Sequence, residues 1–150
     1  MIQREFISLA HEVIRTEEYR RLRGYRHHVR GTVFSHSIKV AYLCYRHARR
    51  FGWRCDTRAL VRGALLHDFY LYDRRGMGLL HWVIHPRHAL KNAVALYPDL
   101  SGRERDMIRR HMFPLTPIPP RYKEGWLLCY FDKAAAISDL LGKQKRKKKR

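Results

Sequence analysis

Apolar residues along the chain recur with a helical period almost throughout. Residues 2–22 place Ile2, Phe6, Leu9, Ala10, Val13 and Ile14 on one stripe, the spacing of an amphipathic helix. "SHSIKVAYLCYRHARRFG" repeats it with Val40, Leu43, Cys44 and His47 on one face, and Gly52 is the expected stop. Asp56 or Thr57 is placed to cap "RALVRGALLH". A charged, Gly-rich loop "DRRGMG" precedes "IHPRHALKNAVALY", where Pro86 suits a first helical position. "SGRERDMIRRH" predicts a helix capped by Ser101, ended by "PLTPIPP", and "YKEGWLLCYFDKAAAISDLLG" predicts the last one. No alternating run is bounded by hairpin turns, and no repeat is found. The pattern predicts an all-α bundle of about six helices in one domain, residues 1–142.

Charge changes this picture at one end. The chain has 150 residues and a formal net charge of +19, and "KQKRKKKR" from residue 143 onward supplies seven of those charges with no apolar residue. Residues 143–150 are expected to be a disordered basic tail. The body keeps +12, with Arg outnumbering Lys, and Arg is the better bidentate ligand for phosphate. Phosphate-bearing partners fit, and so does a simple Arg-rich composition with a solubilising tail. No stretch approaches a membrane span, and the first residues carry Arg4, Glu5, His11 and Glu12 where a signal peptide needs an apolar run. Cys44, Cys55 and Cys129 are odd in number and form no Cys-x-x-Cys pair. A reduced, cytoplasmic protein is expected.

Candidate chemistry lies in polar residues set among apolar ones. Asp68 follows His67 at the end of "GALLHD", and an unpaired buried carboxylate is costly. His36 opens the second long helix, His85 precedes Pro86, His111 closes a helix beside Met107 and Ile108, and Asp132 interrupts "WLLCYFDKAAAI". Helical spacing turns His111 and Asp132 inward. One or two metal ions would satisfy inward carboxylates and imidazoles together, whereas singly each residue is as well read as a hydrogen-bonded core group. His81, His85 and His88 would share a face on a continuous helix, but a helix starting at Pro86 would leave His81 in the loop.

In order and context, His36, His67-Asp68 and Asp132 resemble the HD-domain metal-dependent phosphohydrolases, an all-helical superfamily that binds divalent metals and hydrolyses phosphoesters. "HHVRGTVFSHSIKVAYL", "GALLHDFYLYD", "HPRHALKNA", "IRRHMFPLTPIPP" and "DKAAAIS" look like short single-domain bacterial members of unassigned substrate, over about residues 25 to 140. The resemblance implies a first metal held by His36, His67, Asp68 and Asp132, with Asp68 able to bridge to a second ion completed by His85 and His111. The donors suit iron, manganese, cobalt, nickel or zinc. Catalysis would run through a metal-activated water, with Asp68 and Lys133 in the catalytic set and Arg87, Arg110, Arg121 and His28 as phosphate contacts. Members that open cyclic dinucleotides carry a Gly-Lys element after the pair, and "FYLYD" stands here instead. Asp73 is then a candidate general acid, or a surface-loop aspartate. The implied activity is hydrolysis of a nucleotide or other small phosphoester. The alternatives are a nucleic-acid-binding module with a structural or inactive metal site and an inactive scaffold for protein interaction.

Overall fold

The apolar stripe of the first 22 residues breaks into pieces. In the computed structural model, which describes residues 1–27 and 31–147 along the backbone and side chains through residue 142, α1 is Ile2–Ile14 and α2 is Glu17–Arg20, followed by a 3-10 turn at Arg21–Gly24. The break is at Thr16, whose hydroxyl accepts from the Tyr19 N–H and so starts a new helix. Among the described residues the remaining helices are α3 (Val33–Arg50), α4 (Thr57–Leu66), α5 (Leu79–Leu96), α6 (Gly102–Arg110) and α7 (Lys123–Lys147), with no strand. The protein is therefore all-α, with short α2 as the addition to the six helices expected.

Local signals explain most boundaries. Thr32 and Ser35 form a capping box at the start of α3, and Ser101 with Glu104 forms another at α6. Asp56 caps α4 by accepting from the Ala59 N–H. Gly52 takes φ +62 after α3, and the Trp53 N–H reaches back to the Ala48 carbonyl at 2.9 Å, closing the helix as its sequence predicts.

One expectation is corrected. Pro86 does not start a helix: α5 begins at Leu79 and carries Pro86 inside it, so His81 is helical and buried rather than in the loop. The turns preceding Pro86 are already formed, and only one N–H of the ladder is lost there. Along the backbone, α7 extends past residue 142. Helical backbone continues to Lys147, because Lys, Gln and Arg are good helix formers appended to an existing helix. Residues 148–150 lie outside the described part.

Helix α4 is the centre of the bundle, packed by α1, α3, α5, α6 and α7. Every residue from Ala59 to Leu66 is buried, as for a helix apolar on nearly all sides. Arg62 is the exception and is fully matched. Its guanidinium reaches Glu104 through Nε and Nη2 at 2.5 and 3.0 Å and Asp99 through Nη1 at 3.0 Å. That pairing ties α4 to the first turn of α6. The two helices then run together to the site, where both end.

Candidate metal centre

Two helix C-termini converge on the centre of the molecule. His67 is the C-cap of α4 and His111 the C-cap of α6, both wholly buried. The last carbonyls of a helix lack intrahelical partners, and each histidine meets one in its own last turn. His67 Nδ1–H donates to the Ala64 carbonyl at 2.7 Å and His111 Nδ1–H to the Ile108 carbonyl at 2.8 Å. On α5, His85 Nδ1–H donates to the His81 carbonyl at 2.9 Å. A carbonyl only accepts, so the proton is fixed on Nδ1 in all three rings, and the neutral ring presents its Nε2 lone pair inward.

The carboxylates sit between these nitrogens. Asp68 Oδ1 lies 3.2 Å from His85 Nε2 and 3.5 Å from His111 Nε2, while its Oδ2 lies 3.4 Å from His67 Nε2. Asp132, from α7, places Oδ1 2.9 Å from His36 Nε2 on α3 and 3.4 Å from His67 Nε2. The six expected ligands therefore come together from α3, α4, α5, α6 and α7. Two donor groups share Asp68: His36, His67 and Asp68, with Asp132 alongside, and Asp68, His85 and His111.

Electrostatics favour a cation at this point. Burial opposes the charge on Asp68, but His67, His111 and His85 outweigh it and hold the carboxyl well below its usual range. Asp132 is likewise held low against burial by His36 and His67. Burial also opposes protonation of His67, yet Asp68 and Asp132 hold its pKa at about 9. Burial pushes His111 down. The negative ends of the α4 and α6 dipoles add to the same preference.

The donors fit a divalent metal on one further observation. His85 Nε2 and His111 Nε2 are 2.9 Å apart, with both Nδ1 hydrogens committed to carbonyls. Neutral rings so arranged aim two lone pairs at each other, which calls for a proton on one Nε2 or a metal ion held by both. His67 Nε2 is buried 3.4 Å from both Asp68 Oδ2 and Asp132 Oδ1, a long reach to either carboxylate.

The other expected site residues are distributed differently. Lys133 Nζ donates to the His111 carbonyl at 2.8 Å and the Cys129 carbonyl at 3.5 Å, so it caps α6 directly behind a ligand. Asp73 is exposed in the α4–α5 loop and paired with Arg75, whose hydrogen bonds hold its carboxyl below the usual range. An ionised loop carboxylate is a poor general acid near neutrality, so the surface-loop reading of Asp73 is the one the structure favours. Arg110 is taken up by Asp106 at 3.0 Å and the Pro119 carbonyl at 2.9 Å. Arg87 and Arg121 are exposed. His28 lies outside the described residues.

Two histidines outside the expected set join the centre. The His27 ring stacks on His36 with centroids 3.7 Å apart, and His81 stacks on His85 at 4.6 Å, with its Nδ1 3.0 Å from the Tyr72 hydroxyl. The four-residue spacing of His81 and His85 was the available signal. His27 had none, because its approach to His36 depends on the loop before α3.

Together, the fold and centre define an all-helical protein with two adjoining His/Asp donor groups at its core. The HD domain family model matches residues 33–136, which span α3 to the middle of α7 and contain all six converging side chains. The chain belongs to the HD-domain family, whose members are commonly metal-dependent hydrolases and bind divalent metals. Searches of curated proteins and of solved structures return no match.

Proposed function

We propose that this protein is a metal-dependent phosphohydrolase acting on a nucleotide or other small phosphoester, with one or two divalent transition-metal ions, iron, manganese, cobalt, nickel or zinc, as cofactor. The observation that carries the reading is the set of three imidazoles whose Nδ1–H groups are tied to carbonyls while their Nε2 atoms converge on Asp68. Backbone acceptors of this kind fix ring orientation and raise ligand basicity. A merely structural histidine cluster has no need of three identical tautomers.

His36, His67, Asp68 and Asp132 would hold one ion, and Asp68, His85 and His111 a second. A bound ion supplies Lewis acidity, polarising phosphoryl oxygens and making water nucleophilic near neutral pH. The chain's own residues do the rest. Asp68 uses both oxygens and so keeps the two donor groups in register. Lys133 places a positive charge behind His111 and fixes the end of α6, with Arg87 and Arg121 available at the surface for the remaining phosphate oxygens.

The test is elemental analysis of the purified protein beside Asp68→Ala, with both assayed on a phosphodiester and a phosphomonoester reporter. One or two equivalents of transition metal, lost together with hydrolysis in the variant, is the expected result. A native protein that holds no metal after reconstitution with manganese or iron would sink the proposal.

A further inference from the structure

The second half of α7 raises a question that the metal centre does not answer. Ala135 is the last buried residue of this helix among those described. The helix nevertheless runs on to Lys147. Ile137, Leu140 and Leu141 are each at least half exposed beyond that point, and Tyr130 is 66% exposed just before it. At 100° per residue, Trp126, Tyr130, Ile137, Leu140 and Leu141 fall on one face, over a length of about 22 Å. Of these, Tyr130, Ile137 and Leu141 line an open groove together with Lys133, Ala134 and Ser138. Several large apolar side chains in one exposed stripe mark an interaction surface. The inner side of this helix end is tied to α3 by Lys39 Nζ donating to Asp139 Oδ1 at 2.8 Å, while the outer side carries the exposed stripe.

The charge pattern selects the occupant. Residues 143–150 follow this face in sequence and carry seven positive charges in eight residues. A stripe of Trp, Tyr, Ile and Leu followed by a dense cationic segment meets both demands of an anionic lipid surface, apolar insertion at the acyl boundary and attraction to headgroups. A nucleic acid can stack bases on Trp126 and Tyr130 but offers nothing to cover the aliphatic Ile137, Leu140 and Leu141. A second copy of the chain would bring another +19 against the same face. We infer that the outer face of α7, from Trp126 to Leu141, docks on a bilayer containing anionic lipid, with residues 143–150 supplying the electrostatic attraction.

The experiment uses the full chain and the exposed-face variant I137E/L141E, with circular dichroism verifying that both are folded. Each is sedimented with vesicles of phosphatidylcholine alone and of phosphatidylcholine mixed with phosphatidylglycerol, at low and high salt. Expected is partition onto the anionic vesicles only, weakened by salt and reduced about tenfold or more in the variant, with a blue shift of tryptophan emission in the native chain. Failure to bind anionic vesicles overturns the inference. So does equal binding of native chain and variant, which would leave charge as the only contributor. Sedimentation velocity without lipid showing a dimer that I137E/L141E abolishes overturns it too, by assigning the face to a second copy. Neither metal content nor hydrolysis enters these readouts.

Discussion

At the centre, His67 carries the clearest consequence of burial beside two carboxylates. Its folded pKa of about 9 stands above the ordinary value of 6.5, as Asp68 and Asp132 outweigh burial. In the metal-free protein this stabilises the fold fully below pH 6.5 and is lost as pH rises through about 9. The size is about 3 kcal/mol at most, at ~1.4 kcal/mol per pKa unit. Chelator-treated protein should therefore lose thermal stability between pH 6.5 and 9, while Asp132→Asn should flatten that dependence. A metal-free melting temperature that stays level over this range would contradict the assignment. Thiols provide a second check. Burial raises the pKa of Cys44 well above its usual value and that of Cys129 to about 11, so both should resist alkylation at pH 8 until the protein unfolds. Cys55, half-buried and also raised by burial and by Glu124, should be the first to react, as peptide mapping after brief labelling would show.

Between elements, the closest approaches are made by glycines and by one buried ion pair. A Cβ on Gly125 would come within 2.7 Å of Pro120 Cβ, a rigid ring, whereas one on Gly63 would meet the end of the flexible Met107 side chain at 2.8 Å. Alanine gains ~1 kcal/mol of helix propensity over glycine at either place. Overpacking costs about 1–3 kcal/mol where nothing can yield. Gly125→Ala should thus destabilise the protein while Gly63→Ala stays near neutral, read from denaturant midpoints. Arg62 makes the stronger case. Removing it by Arg62→Met leaves Glu104 buried in the α4–α6 contact without its cation, which should cost about 3–5 kcal/mol. Glu104→Gln in the same chain should recover part of this by removing the stranded charge, although the capping bond to Ser101 N–H at 2.7 Å is weakened. A double variant no more stable than Arg62→Met would show that the pair does not carry the contact.

Across the whole molecule, the six converging side chains link five of the seven described α-helices, so a metal bound among them would couple to global stability. Saturation at a hundredfold excess over Kd adds about 2.7 kcal/mol. Adding manganese or zinc to chelated protein should raise the melting temperature by several degrees, and Asp68→Ala should abolish the rise. No helix of the described residues is long and apolar enough to cross a membrane. The helical class, the caps at Asp56 and Ser101, and the stop at Gly52 were determined by the sequence alone, because periodicity and capping act within one or two turns. The inward convergence of these six side chains was legible for a related reason: His and Asp on an otherwise apolar face must point inward and find a partner. Which partners they find is decided across helices, and no local spacing encodes that. Only tertiary structure splits Asp68 between two donor groups, seats His27 on His36, and places His81 against His85 inside a helix that Pro86 was expected to start. Arg110 with Asp106, one helical turn apart on α6, and Asp73 with Arg75, neighbours in a loop, are by contrast local pairs, which short spacing alone brings within reach.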